Sequence, residues 1–410
     1  MTAMTPIKIE PAVFQLDRYL NEISESMDFL LEVTPVNTHK QWTAFSKSRY
    51  SREPVFQYRP LPCHLSHMIR ELERFPVEKI VHPELRDILT AKRDETLAHL
   101  RMLQVRGTPE FKQCSAALYG SIDDTLFNDA VSVLGMLEEK GPPDMKTGDS
   151  LSAEEIKSRA GEQIQAYQQQ MPEFRARVEV HPDIPAGLMV SNGILLIAED
   201  IILSAGRVEA LLHHEIGTHL LTYFNGRAQP LKTFASGMAG YEATQEGLAV
   251  LSEYLVDSLT PQRLRLLAAR VIACREMERC ERFSEIVDHL TGEYGISPFR
   301  AFMIAVRVWR GGGLHKDAVY LRGLKEILSA MPVVPDPRIL WAGKIAARKM
   351  EQVRRLQQEG VLQPPAVMPL FWQREDVQKK IGVLKNGITF KSFLEVYFKE
   401  SGIYENRVSG

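Results

Sequence analysis

The chain has 410 residues, 44% of them hydrophobic, enough to fill a sizeable core in two domains or one large one. Its 50 basic and 52 acidic side chains leave a formal charge of −2, so no global field draws it to nucleic acid or to an anionic membrane surface. Four scattered cysteines, Cys63, Cys114, Cys274 and Cys280, form no CxxC pair and give no sign of a disulfide framework or a thiolate zinc site.

The first ten residues lack the apolar core of a signal peptide, and no later run approaches the roughly 20 apolar residues a membrane span needs. The expected location is therefore cytoplasmic. From Pro11 to about Glu139 apolar residues return every three or four positions, as in Val13-Phe14-Gln15-Leu16-Asp17-Arg18-Tyr19-Leu20, which predicts helices. An irregular stretch near 54–62 interrupts them. The Gly/Pro/Asp-rich segment from Lys140 to Ser150 reads as a linker, and Ser152-Ala153-Glu154-Glu155 as a capping box that opens a helix. This places a boundary near residue 150, with a mainly helical region over 1–150 and a second region over 151–410.

After Pro172 the period falls to two. Val178 and Val180, then Gly187-Leu188-Met189-Val190 and Ile194-Leu195-Leu196-Ile197 about Ser191-Asn192-Gly193, predict short strands meeting at an Asn-Gly turn. From Gly206 the pattern is again helical to the end, and Asn225-Gly226-Arg227-Ala228-Gln229-Pro230 reads as a turn closing the first of these helices.

That helix carries the chemistry. The chain has 11 histidines, and three of them, His213, His214 and His219, cluster beside Glu215. Zinc accepts imidazole nitrogen and carboxylate oxygen, and a catalytic site uses three protein ligands. In the common HExxH motif, residues four apart lie about 40° apart around a helix of 3.6 residues per turn. His214 and His219 are five apart, which an undistorted helix would separate by about 140°. A π-bulge, a distortion common at functional sites, would return them to one face. Gly217 and Thr218 lie inside the interval, and Thr218 can bond back to the preceding turn. Glu215 would then face the metal's water as general base. The same residues also read, without a motif in view, as ordinary histidines on a regular helix.

The stretch Leu211-Leu212-His213-His214-Glu215-Ile216-Gly217-Thr218-His219, with Tyr241-Glu242-Ala243-Thr244-Gln245-Glu246-Gly247-Leu248-Ala249-Val250, resembles the QEGLA-motif family. That family spans the flavohaemoglobin expression-modulating proteins and the microtubule-associated tyrosine carboxypeptidases. The resemblance is strong over 187–323 and extends to Phe56-Gln57-Tyr58-Arg59-Pro60-Leu61 and Ala117-Leu118-Tyr119-Gly120. It implies a mostly helical α+β fold with a gluzincin-like metallopeptidase domain, a small sheet before the zinc helix, and an N-terminal helical region. It implies zinc held by His214, His219 and Glu246, with Glu215 as the base. Glu242, four residues before Glu246, is the rival ligand, and Glu253 a supporting residue.

Ser191-Asn192-Gly193 and the following Ile194–Ile197 run read either as an edge strand that binds an extended peptide or as a plain hairpin. Arg307-Val308-Trp309-Arg310-Gly311-Gly312-Gly313-Leu314-His315-Lys316-Asp317-Ala318-Val319-Tyr320-Leu321 resembles a further stretch of the family. There Arg307, Arg310 and Lys316 would hold a substrate's terminal carboxylate, and Tyr320 would donate to the oxyanion of the tetrahedral intermediate. A solvated loop with a packing tyrosine is the plainer reading. The expected activity is a metallocarboxypeptidase trimming an aromatic residue from a peptide or protein C-terminus, without nucleic-acid or membrane partners. The rivals are an endo- or aminopeptidase on the same metal, and a non-catalytic protein with a structural zinc.

Overall fold

A computed structural model of the chain describes residues 9–137, 150–182, 184 and 187–401. They are mostly helical with two small sheets, an α+β arrangement. The chain divides into two compact units, each assembled from separated stretches. One takes its described residues from 142–261 and 322–410, the other from 9–141 and 262–321.

The predicted N-terminal helices are present in the second of these units, the longest being Pro83–Gln104. No regular element falls between Ser51 and Pro62. Residues 262–321 group with these helices in one compact unit. The reason lies in side chains of the helix Pro261–Arg279. Arg265 donates to the carbonyls of Leu134 (3.0 Å) and Leu137, Glu278 accepts from the Ile122 amide at 3.0 Å, and Lys112 donates to the Met277 carbonyl at 3.2 Å. Leu264, Leu267, Val271, Ile272 and Met277 are all buried, so the helix has no single apolar face that assigns it to one neighbour.

In the other unit Ser152 and Glu155 make the expected capping box at the start of Ala153–Gln170. The linker expected from Lys140 lies, except for Ser150, outside the described residues. Among the described residues there are five short strands, β1 (Ser150–Ser152), β2 (Arg177–His181), β3 (Leu188–Ser191), β4 (Ile194–Ala198) and β5 (Ile202–Ser204); β2, β3 and β4 lie where strands were expected, and β1 and β5 were not foreseen. β1 and β5 pair antiparallel, and β2, β4 and β3 form a second sheet in that order. β3 and β4 are antiparallel, with Ser191 opposite Ile194, and their turn holds Asn192 at φ 46° and Gly193 at φ 79°. Both sit in the left-handed region that the two-residue hairpin turn requires. β4 is paired on both sides, to β2 in parallel and to β3. The Ile194–Ile197 run therefore cannot receive a peptide strand, and among the described residues the edge beside the hairpin is β3. No described helix is long and apolar enough to cross a membrane.

Candidate active site

The helix that carries the histidines runs in three parts without a break in helical backbone: α-helical Ala205–His214, π-helical Glu215–Leu220 and α-helical Leu221–Arg227. The π turn adds the residue that a five-residue spacing needs, and the His214 and His219 rings lie 5.0 Å apart between centroids. Its wider turn is held by side chains. Thr218 donates to the His213 carbonyl five residues back at 3.4 Å, and its hydroxyl is 3.0 Å from that of Ser252. Thr222 donates to Gln245 Oε1 at 2.7 Å. Ser252 and Gln245 belong to the next helix, Tyr241–Leu255, so these bonds fix the two helices in register.

That register brings Glu246 to the histidines. Glu246 Oε2 lies 3.7 Å from His214 Nε2 and 3.7 Å from His219 Nε2. These separations are too long for hydrogen bonds. They suit ligands of one ion, since donors about 2.0–2.1 Å from a tetrahedral zinc stand roughly 3.4 Å from each other. One ligand atom from each of the three residues lies within 4.8 Å of the others. Glu246, and not its rival Glu242, is the glutamate in this group.

The second nitrogen of His214 is equally committed. Glu253, with 0% exposure, accepts from His214 Nδ1 at 2.8 Å, and Arg207 Nη1 donates to the other Glu253 oxygen at 3.3 Å. A carboxylate on Nδ1 fixes the tautomer and leaves the Nε2 lone pair directed at a ligand. Burial works against a charged His214, but the Glu246, Glu253 and Glu215 carboxylates outweigh it and push its pKa up to about 9. This excess of negative charge suits a metal cation as well as a proton. Glu215 is itself buried in the same turn. His213 faces elsewhere: its Nε2 meets Glu209 at 3.0 Å and its ring packs edge-on against Phe371.

The segment Gln245–Ala249 has a use for every residue. Gln245 accepts from Thr222, Glu246 joins the histidines, and Leu248 and Ala249 are fully buried. At Gly247 an added Cβ would lie 2.1 Å from the backbone carbonyl carbon of Gly323, so the helix comes too close there for any side chain. Asn225 is a correction to the expected turn: it lies within the last helical turn, donates to the Trp341 and Val367 carbonyls at 2.8 Å each, and accepts from the Val367 amide at 3.1 Å. A buried side-chain amide with both ends used is a cross-link between backbone segments. Asn192 and Gly193 form the hairpin turn, where a Cβ on Gly193 would be 2.9 Å from the Tyr223 ring.

In the unit that contains 262–321, Arg307 clasps Asp317 with a two-pronged pair of hydrogen bonds, Nη2 to Oδ1 at 3.0 Å and Nε to Oδ2. Arg310 is buried in the same cluster, and the Tyr320 ring lies 4.9 Å beneath the Arg270 guanidinium. Lys316 is buried with its ammonium 5.9 Å from the Tyr119 ring centre. The three glycines after Arg310 have positive φ, but a Cβ on Gly311 would be 2.4 Å from Phe111 and one on Gly313 2.8 Å from Met277. Their backbone thus approaches the chain's own side chains. Sequence reasoning missed Arg270, whose signal is a lone charge within Leu267-Ala268-Ala269-Arg270-Val271-Ile272-Ala273. It also gave no role to Asp317, Arg207 and Gln245, ordinary polar residues whose partners, Arg307, Glu253 and Thr222, lie on other elements.

Comparison with known proteins agrees with the sequence resemblance. Human microtubule-associated tyrosine carboxypeptidase 1 is 32% identical over 185 residues, covering 40% of this chain and 36% of that protein. The mouse protein of the same name is 28% identical over 159 residues, covering 36% and 33%. A human relative provisionally named tyrosine carboxypeptidase MATCAP2 is 29% identical over 163 residues, covering 36% and 30%. Each match spans about a third of the relative's length. The sequence profile of the family described as microtubule-associated tyrosine carboxypeptidase matches residues 43–388. With most of its length matched, the chain belongs to the microtubule-associated tyrosine carboxypeptidase family.

Proposed function

We propose that this protein is a zinc-dependent carboxypeptidase of gluzincin type that removes a C-terminal residue, tyrosine or another aromatic, from a peptide or protein. The observation that carries the reading is the convergence of His214 Nε2, His219 Nε2 and Glu246 Oε2 at ligand spacing. Three protein donors among the described residues are one fewer than a closed structural zinc site uses, which favours catalysis over a staple.

Zinc held by these three residues would lower the pKa of water towards about 7 and polarise the scissile carbonyl. Glu215 takes the proton from the attacking water and delivers it to the leaving amine. Glu253 keeps His214 in the tautomer whose Nε2 can serve as ligand, and Arg207 holds Glu253. Asn192 and Gly193, in the same unit as the three ligand donors, are proposed to bound the extended peptide. The carboxypeptidase reading is preferred to an aminopeptidase because the family and its relatives are named carboxypeptidases. The aromatic preference comes from the relatives, which are named tyrosine carboxypeptidases.

The test is mass spectrometry of peptides ending in tyrosine, incubated with the purified chain. A free-acid peptide should lose one C-terminal residue, its N-acetylated form should react equally, and its C-terminal amide should be inert. A chelator should stop the reaction and zinc restore it. Trimming from the N-terminus, or internal cleavage, would sink the proposal. Glu253→Gln should weaken zinc binding about 10–100-fold in competition with a chelating dye, because the ligands remain and the carboxylate that supports His214 is lost. An unchanged affinity would leave Glu253 without that role.

A further inference from the structure

We propose that Arg270, Arg307 and Arg310, gathered around Asp317, form a binding site for an oxyanion, a carboxylate or a phosphate-like group. The three guanidiniums come from different places in one unit: the Pro261–Arg279 helix, the end of the Pro298–Trp309 helix, and the residue that follows it. Asp317, 2% exposed, is the carboxylate that acts on all three. It is not enough for them. Arg307 takes both its oxygens in the two-pronged pair, and Arg270 Nε stands 3.6 Å from Oδ2, beyond hydrogen-bond reach. Arg310 is 6% exposed, its Nε has no hydrogen-bond partner, and it joins no ion pair among the described residues.

A guanidinium cannot shed its proton near neutral pH, so buried ones that share a single counter-charge remain a cost in the folded chain. Burial, and then the neighbouring Arg307, push the pKa of both Arg270 and Arg310 down to about 10, against the pull of Asp317. An added oxyanion removes that cost, and the planar guanidinium fork matches two oxygens of a carboxylate or phosphate. The Tyr320 ring, 4.9 Å from Arg270 and 5.8 Å from Arg263, holds the guanidinium plane by cation–π contact. The Arg307 side chain keeps 23% of its surface open, which gives the cluster a route to solvent. That the anion is a peptide's carboxylate end rests on the carboxypeptidase reading; the existence of the site does not.

Thermal unfolding of the full chain at fixed ionic strength tests it, with chloride replaced by inorganic phosphate, N-acetyltyrosine or N-acetyltyrosine amide. A bound oxyanion should raise the melting temperature by roughly 2–4 °C near saturation. Arg310→Met should abolish the rise while melting no lower than the parent in chloride, since it removes an uncompensated buried cation. Arg310→Lys keeps the charge but loses the fork and should raise the half-effect concentration about tenfold. A response to N-acetyltyrosine and not its amide assigns the site to carboxylates; a response to phosphate alone assigns it to free oxyanions. No rise above chloride with either class, or an equal rise in Arg310→Met, overturns the proposal. Should Arg310→Met fail to fold, the parent and Arg310→Lys still decide. The assay reads binding without turnover, so a failed peptidase test leaves this one standing.

Discussion

Glu215→Gln is expected to lower kcat/KM on a free-acid peptide by roughly 10³-fold while zinc content stays at the parental level, because proton transfer by a positioned carboxylate contributes about 10²–10⁴-fold. The substitution keeps the shape of the side chain, and Glu215 lies outside the group of three ligand donors. The amide can still hydrogen-bond to water but cannot accept its proton. His219→Ala is the contrasting case, since it deletes a proposed ligand and should lose metal and activity together. Metal analysis beside initial rates separates the two. If Glu215→Gln retains activity within tenfold of the parent, the base is another residue and the mechanism has to be rebuilt.

The histidine half of the candidate site was legible because its signal is local, whereas Glu246 came only with the family resemblance. Two histidines beside a glutamate are a strong signal, and their five-residue spacing required one extra residue in the turn, which the π segment Glu215–Leu220 provides. The Asn192-Gly193 turn and the Ser152–Glu155 capping box were legible for the same reason, since each answers a backbone need within four residues. What the sequence hid depends on distance along the chain. Nothing near Ile194–Ile197 says that β2 pairs with it in parallel, so an expected edge became the centre of the sheet. Nothing near Pro261–Arg279 says that Arg265 reaches the carbonyls of Leu134 and Leu137. Asn225-Gly226 has the composition of a turn, but both ends of the Asn225 amide are used by the backbone of Trp341 and Val367, more than 100 positions away, and the helix continues through it.

The two motif glycines near the proposed metal should respond oppositely to alanine. Gly247→Ala is expected to destabilise the fold by roughly 3 kcal/mol or more, above the usual 1–3 kcal/mol for overpacking, because what it meets is backbone. Its Cβ would lie 2.1 Å from the Gly323 carbonyl carbon and 2.6 Å from the Leu324 nitrogen, and neither can swing aside as a side-chain tip would. Relief requires the helix Tyr241–Leu255 to move away from residues 323–324, and that helix carries both Glu246 and Glu253. Loss of stability should therefore appear together with weakened zinc binding. Gly217→Ala meets nothing closer than 3.7 Å, the Tyr167 hydroxyl, which is ordinary contact. Alanine there also removes glycine's helix penalty of about 0.8–1.0 kcal/mol, so the variant should be neutral or slightly more stable. Denaturant unfolding of both variants, with zinc titration of each, checks the pair. A harmless Gly247→Ala would mean that the two backbones are not in contact, and the placement of Glu246 opposite the histidines would lose its structural support.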